Sequence, residues 1–158
     1  MANIAQTVNV LQAMILTDGA QMLLTPTYHV FEMYKAHQDA TLLPIHLQSA
    51  EYREGEAGIP ALNASASKDK DASGAIHLTL CHTDPTQPAT LDVELRGAGL
   101  SSVSGRVLSA DALNARNTFE QPNALAPRDL GSNAVRLTDG KARVTLPPAS
   151  VAVLKIAG

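Results

Sequence analysis

Fifteen carboxylates, five histidines and one cysteine are the side chains of this 158-residue chain able to do acid–base, metal or nucleophilic chemistry. Glycosidic hydrolysis needs two carboxyls, about 5 Å apart for retention of configuration and farther apart for inversion. Spacing along a chain does not fix such a distance, and nearly all the acids here fall in turns or at the polar positions of alternating segments. That is the pattern of solvated surface charge. Glu120 stands apart, beside Phe119 in a stretch without period, but a loop carboxylate bonded to Arg116 or Arg128 explains it equally well. A complete small hydrolase would have to combine Glu120 with Asp111 or Asp129, and no nucleophile–base constellation supports that.

The histidines are His29, His37, His46, His77 and His82, with no helical i, i+4 pair and no Cys-x-x-Cys companion. No metal site follows, and nothing calls for a cofactor. Cys81 precedes His82, yet neighbouring strand residues face apart, so a thiol–imidazole couple is not expected. A half-buried packing cysteine is the expectation. The run Asp69-Lys70-Asp71-Ala72-Ser73-Gly74 has oxygens at alternate positions but lacks the acid that closes a calcium loop. It reads as a hairpin tip.

The elements that must position these groups divide at about residue 40. Thr25-Pro26 has the form of an N-cap followed by proline at the first helical position, and predicts a helix over 26–38. Its apolar stripe is Val30, Phe31 and Tyr34, extended by Ala36 and His37, with Glu32 and Lys35 on the wetter side. Upstream, residues 3–10 read as a short buried strand, and Leu16-Thr17-Asp18-Gly19 as a turn. From Thr41 the period is two. Ile76, Leu78 and Leu80 alternate with His77, Thr79 and Cys81 on a wet face, and Leu91, Val93 and Leu95 with Asp92, Glu94 and Arg96. About eight strands are expected, near 41–48, 59–66, 75–82, 89–96, 103–109, 133–138, 141–146 and 149–156, with Asp139-Gly140 as a tight turn. Residues 111–133 lack a period and read as a long ordered or functional surface loop. The fold class is therefore mainly β, an antiparallel sandwich or barrel.

Composition narrows the partners. Twelve basic against fifteen acidic residues give a net charge of −3, which excludes the positive field that nucleic acid or an anionic membrane requires. Apolar stretches such as residues 8–16 fall short of the roughly 20 residues that span a bilayer, and the N-terminus has no secretory pattern. Aromatic residues make up only 3% of the chain, and three of the five, Tyr28, Phe31 and Tyr34, are assigned to the core face of the helix. Too few remain for the flat platform of a sugar-binding module.

Three segments carry a resemblance: Asn3-Ile4-Ala5-Gln6-Thr7-Val8-Asn9-Val10-Leu11-Gln12, Met22-Leu23-Leu24-Thr25-Pro26-Thr27-Tyr28-His29-Val30-Phe31, and Arg106-Val107-Leu108 followed by Asn114-Ala115-Arg116-Asn117-Thr118-Phe119-Glu120-Gln121-Pro122-Asn123. Together they resemble the C-terminal part of the α-L-arabinofuranosidases of glycoside hydrolase family 51, nearly end to end. The resemblance implies a jelly-roll-like β-sandwich over 41–158, preceded over 1–40 by the last strand (1–8), loop (9–25) and helix (26–38) of a (β/α)8 catalytic barrel. Members are retaining enzymes that release terminal α-L-arabinofuranose from arabinan and arabinoxylan side chains with two glutamates. Those glutamates would lie upstream of this chain, leaving it without catalytic residues. Gln6 alone carries over, as a substrate-binding amide at the end of the last barrel strand.

The implied role is structural support for the catalytic barrel, inactive alone, in a cytoplasmic enzyme. The implied partners are that barrel or a self-associated copy in a homo-oligomer, and an arabinose-containing oligosaccharide in the full enzyme. Ile4, Val8, Val10, Phe31 and Tyr34 would otherwise stay uncovered. The alternative is a non-catalytic β-sandwich module that binds carbohydrate or protein.

Overall fold

The structure is a computed structural model that describes residues 3–71 and 73–158. Its centre is a six-stranded antiparallel sheet built from β3 (Thr41–Leu43), β6 (Leu62–Lys68), β7 (Ile76–His82), β9 (Ser102–Leu108), β10 (Arg128–Asp129) and β13 (Ser150–Ala157). The strands lie in the order β10-β9-β13-β7-β6-β3. A second sheet, of β8 (Ala89–Glu94), β11 (Val135–Thr138) and β12 (Lys141–Leu146) in the order β11-β12-β8, packs on it. Two hairpins stand outside the sheets: β1 (Ile15–Asp18) with β2 (Gln21–Leu24), and β4 (Glu51–Glu54) with β5 (Ala57–Pro60).

Period two explains the sandwich. Ala142, Val144 and Leu146 point inward from β12 and meet Leu78, Leu80, Ala152, Leu154 and Ile156 of the larger sheet, forming one buried cluster. Outward positions of the smaller sheet carry charge, and Arg143 holds Asp92 through two bonds of 2.8 and 2.9 Å across the strand pair. Asp139 and Gly140 both have positive φ, 51° and 73°, as a two-residue hairpin turn with the strand twist demands. Gly105 is required by packing, because a Cβ there would lie 2.6 Å from the carbonyl oxygen of Val153 on the adjacent strand.

The other face of the large sheet is not wet, contrary to the alternation read from residues 76–82. The helix α1 (Pro26–Tyr34) and the 3-10 turn Lys35–His37 lie across it. Met33 packs with Leu108, Val151, Val153 and Leu125, and Thr79 is only 1% exposed. The molecule is thus three layers, helix on sheet on sheet. Thr25 caps the helix as expected: its hydroxyl accepts from the Tyr28 amide at 3.4 Å and donates to the carbonyl of Ala13 at 2.6 Å, with Pro26 next.

Several expectations need correction. The buried residues of the helix are His29 and Met33, not the aromatic stripe; Tyr34 is exposed, and Tyr28 and Phe31 are half-buried. The docked sheet, rather than the apolar moment of the helix, sets its rotation. Residues 41–48 hold a strand only at Thr41–Leu43, with Pro44 following, and 59–66 divides into the end of β5 and most of β6. Residues 3–10 form no strand: Val8 makes one isolated bridge to Ile15. A barrel strand needs hydrogen-bonding neighbours on both sides, and among the described residues Val8 finds one. Met1 and Ala2, the start of the expected strand 1–8, lie outside the described residues.

Candidate functional site

The stretch after Gln6 is built by hydrogen bonds rather than by regular structure. Asn9 adopts φ 54°, a left-handed conformation that asparagine tolerates, and its side-chain amide reaches Thr17 twice: Nδ2 donates to Oγ1 and Oδ1 accepts from the Thr17 amide, both at 2.8 Å. The Ile15 amide donates to the Thr7 carbonyl at 3.0 Å, and the Asn9 amide to the Ile15 carbonyl at 3.1 Å. The Thr25 amide bonds the Met14 carbonyl at 2.9 Å. Residues 7–15 are thereby fixed against the β1–β2 hairpin at the start of the helix. Gln6 stands exposed just before this fixed segment.

Among the described residues the acids singled out in the sequence do not come together. Glu120 is exposed, and its carboxyl is held below the ordinary range by its own backbone amide and the Thr118 hydroxyl. A glycosidic general acid needs the opposite shift. It is not bonded to either expected arginine; the Arg128 guanidinium donates instead to the Ser109 hydroxyl at 2.9 Å. Asp129 faces Arg106 in the β10–β9 pair, and Arg106 Nη1 lies 3.0 Å from Oε2 of Glu32 on the helix. These charges line an open groove of about 550 Å³ between helix and sheet, with Lys35 and Lys155 at its wall. Asp111 is exposed in the loop. Asp69 accepts from or pairs with His77 Nε2 at 3.0 Å, and Asp69 and Gly74 close the hairpin tip through Ala75 and Asp71, as read from the sequence.

Cys81 and His82 face apart. His82 is buried with its Nδ1 donating to the Pro147 carbonyl at 2.9 Å, whereas Cys81 is half-buried on the outer face. Burial pushes the Cys81 thiol above its ordinary pKa, which disfavours the thiolate that a nucleophile needs. His37 works as a clasp: Nδ1 meets the Ser67 hydroxyl at 2.7 Å and Nε2 the Thr79 hydroxyl at 2.9 Å, tying the 3-10 turn to β6 and β7. Sequence reading missed this role and that of Asn117, a buried amide in the long loop. The Asn117-Thr118-Phe119-Glu120 motif was the signal, but only its resemblance was legible.

The fold is a helix-covered antiparallel β-sandwich with an ordered polar segment at its helix end, and comparison with known proteins then specifies its family. Residues 1–150 match the model of the α-L-arabinofuranosidase C-terminal domain. A Bacteroides ovatus protein described as an intracellular exo-α-L-arabinofuranosidase is 42% identical over 99% of this chain, which covers 30% of that protein. The crystal structure of the glycoside hydrolase family 51 arabinofuranosidase from Xanthomonas axonopodis pv. citri superposes with a TM-score of 0.92 at 47% identity, over 99% of this chain and 31% of the other. The arabinose complex of the Thermotoga maritima α-L-arabinofuranosidase gives 0.81 at 25% identity, over 98% and 33%.

The chain belongs to the C-terminal domain family of the α-L-arabinofuranosidases of glycoside hydrolase family 51. It spans about 30% of the length of the relatives it matches. Among the described residues no helix is long and apolar enough to cross a membrane.

Proposed function

We propose that this chain serves as the C-terminal part of a retaining exo-acting α-L-arabinofuranosidase, supporting a catalytic barrel that removes terminal α-L-arabinofuranosyl groups from arabinan or arabinoxylan side chains. The observation that carries the reading is the family match over residues 1–150, spanning both the helix and the sandwich. Under it, residues 1–40 are the end of the barrel and 41–158 the sandwich. Gln6 contributes a side-chain amide to the bound sugar, and the two glutamates that do the chemistry belong to the barrel. The partners are that barrel or a second copy of this chain. A cytoplasmic location is supported by the description of the Bacteroides ovatus relative as intracellular.

The chain alone is inactive. Purified and incubated with an aryl α-L-arabinofuranoside, it releases no more aryl alcohol than buffer does. A rate that persists through repurification and disappears in Gln6→Ala overturns the inactive-support reading. Calorimetric titration with arabinan and arabinoxylan oligosaccharides gives no saturable heat if the chain is support; saturable binding assigns it instead to a carbohydrate-binding module.

A further inference from the structure

The long loop between β9 and β10 sends one polar side chain inward. Asn117 is 5% exposed, and all of its bonds are short. Its Oδ1 accepts from the Leu125 amide at 2.7 Å and its Nδ2 donates to the Leu125 carbonyl at 3.0 Å, which closes the loop on itself. The third bond leaves the loop: Nδ2 donates to the carbonyl of Leu24 at 2.8 Å, across 93 positions of sequence.

Leu24 ends β2 and faces Ile15 of β1. Because the amide and carbonyl of Ile15 both turn toward residues 7–9, Ile15 and Leu24 are a non-hydrogen-bonded pair, and the Leu24 carbonyl points out from the opposite edge of the hairpin. Asn117 occupies that edge as a further strand would. The order across this small assembly is residues 7–9, β1, β2, Asn117. An amide suits the position because it donates twice and accepts at once, and every one of these capacities is used in a buried setting where an unmet polar group is costly.

We propose that Asn117 is a positioning residue, by which the loop of the sandwich holds the β1–β2 hairpin and thereby the segment carrying Gln6. The proposal rests on the reading that Gln6 meets the sugar. The sandwich is then a jig for one wall of the substrate site as well as a support.

Amide exchange followed by NMR on the intact chain tests this. Asn117→Asp keeps the acceptor for the Leu125 amide and removes both Nδ2 bonds, to the carbonyls of Leu24 and Leu125; Asn117→Ala removes all three. In N117D the opening equilibria of the Asn9 and Ile15 amides rise about threefold to tenfold, the net worth of the single lost bond that reaches the hairpin. Those of Leu80 and Leu154 in the core do not change, and the side-chain amide resonances of Gln6 shift. In the unaltered chain, Asn9, Ile15 and Leu125 lose protection together as denaturant is added, as one cooperative unit.

Asn9 and Ile15 protection within twofold of the unaltered chain in a folded N117D overturns the proposal. So does independent opening of Leu125 and Ile15 in the unaltered chain, which decides the matter even if both variants fail to fold. Hydrolysis and sugar binding play no part in these readouts, so their failure leaves the arabinofuranosidase reading standing, and that reading is decided by the substrate assay and the titration.

Discussion

His37 shows how one side chain can join two layers. Both of its ring nitrogens are bonded to hydroxyls of the sheet, and burial, followed by the neighbouring His77, lowers its pKa from 6.5. Burial likewise lowers that of His29, against a smaller opposing effect of Glu32. On acidification the unfolded chain takes up these protons before the folded one, so their contribution is complete above about pH 6.5 and is lost as pH falls below it. The melting temperature should therefore drop between pH 7.5 and pH 5, and drop less in His37→Gln, as followed by circular dichroism. An equal drop in that variant would clear His37. Neither role was legible beforehand, because a histidine on a helix stripe looks the same whether it packs or clasps. Gln6 was singled out only through resemblance; its neighbours Thr7 and Asn9 acquire a structural meaning once Ile15 is seen bonded to both.

Among the elements, those whose partners are near in sequence or whose period is strict were readable. The Asp139-Gly140 turn and the Thr25-Pro26 cap both stand where expected. The β4–β5 hairpin was not, since Gly55, with φ 59°, turns a stretch that has no alternation to reveal it. Nor was the rotation of the helix, which tertiary contact decided in favour of His29 and Met33.

Strand β9 offers a prediction of its own. Gly105→Ala forces a methyl against the Val153 carbonyl and the Leu154 side chain, and should cost about 1–3 kcal/mol, the usual range for overpacking. Gly131→Ala, where an added Cβ meets nothing within 4 Å, should leave stability nearly unchanged or slightly raised. Urea midpoints of the two variants would separate packing from a general intolerance of alanine.

At the scale of the whole molecule exposed apolar groups are scattered, with Leu113 at 78% in the long loop and Leu42 at 79% on β3, but the first forty residues hold Leu11 at 92%, Met22 at 62% and Val8 at 44%. Such exposure to water favours association. In sedimentation velocity the isolated chain should form concentration-dependent assemblies, and Leu11→Ser with Met22→Ser should shift them toward monomer. An unchanged distribution would acquit that end of the molecule. The expected uncovered set was partly misplaced, for Phe31 is half-buried and Ile4 and Val10 are too.

The helix that lies on the outer face of the large sheet has a bearing on how this protein could be cut and recombined. Residues 26–37 cover Leu108, Val151, Val153 and Thr79, so a sandwich expressed from Thr41 onward would be stripped of its lid along the middle strands. Any graft of this domain onto another enzyme would have to carry the helix with it, and the usable joint lies upstream of Thr25 rather than at the change of period near residue 40.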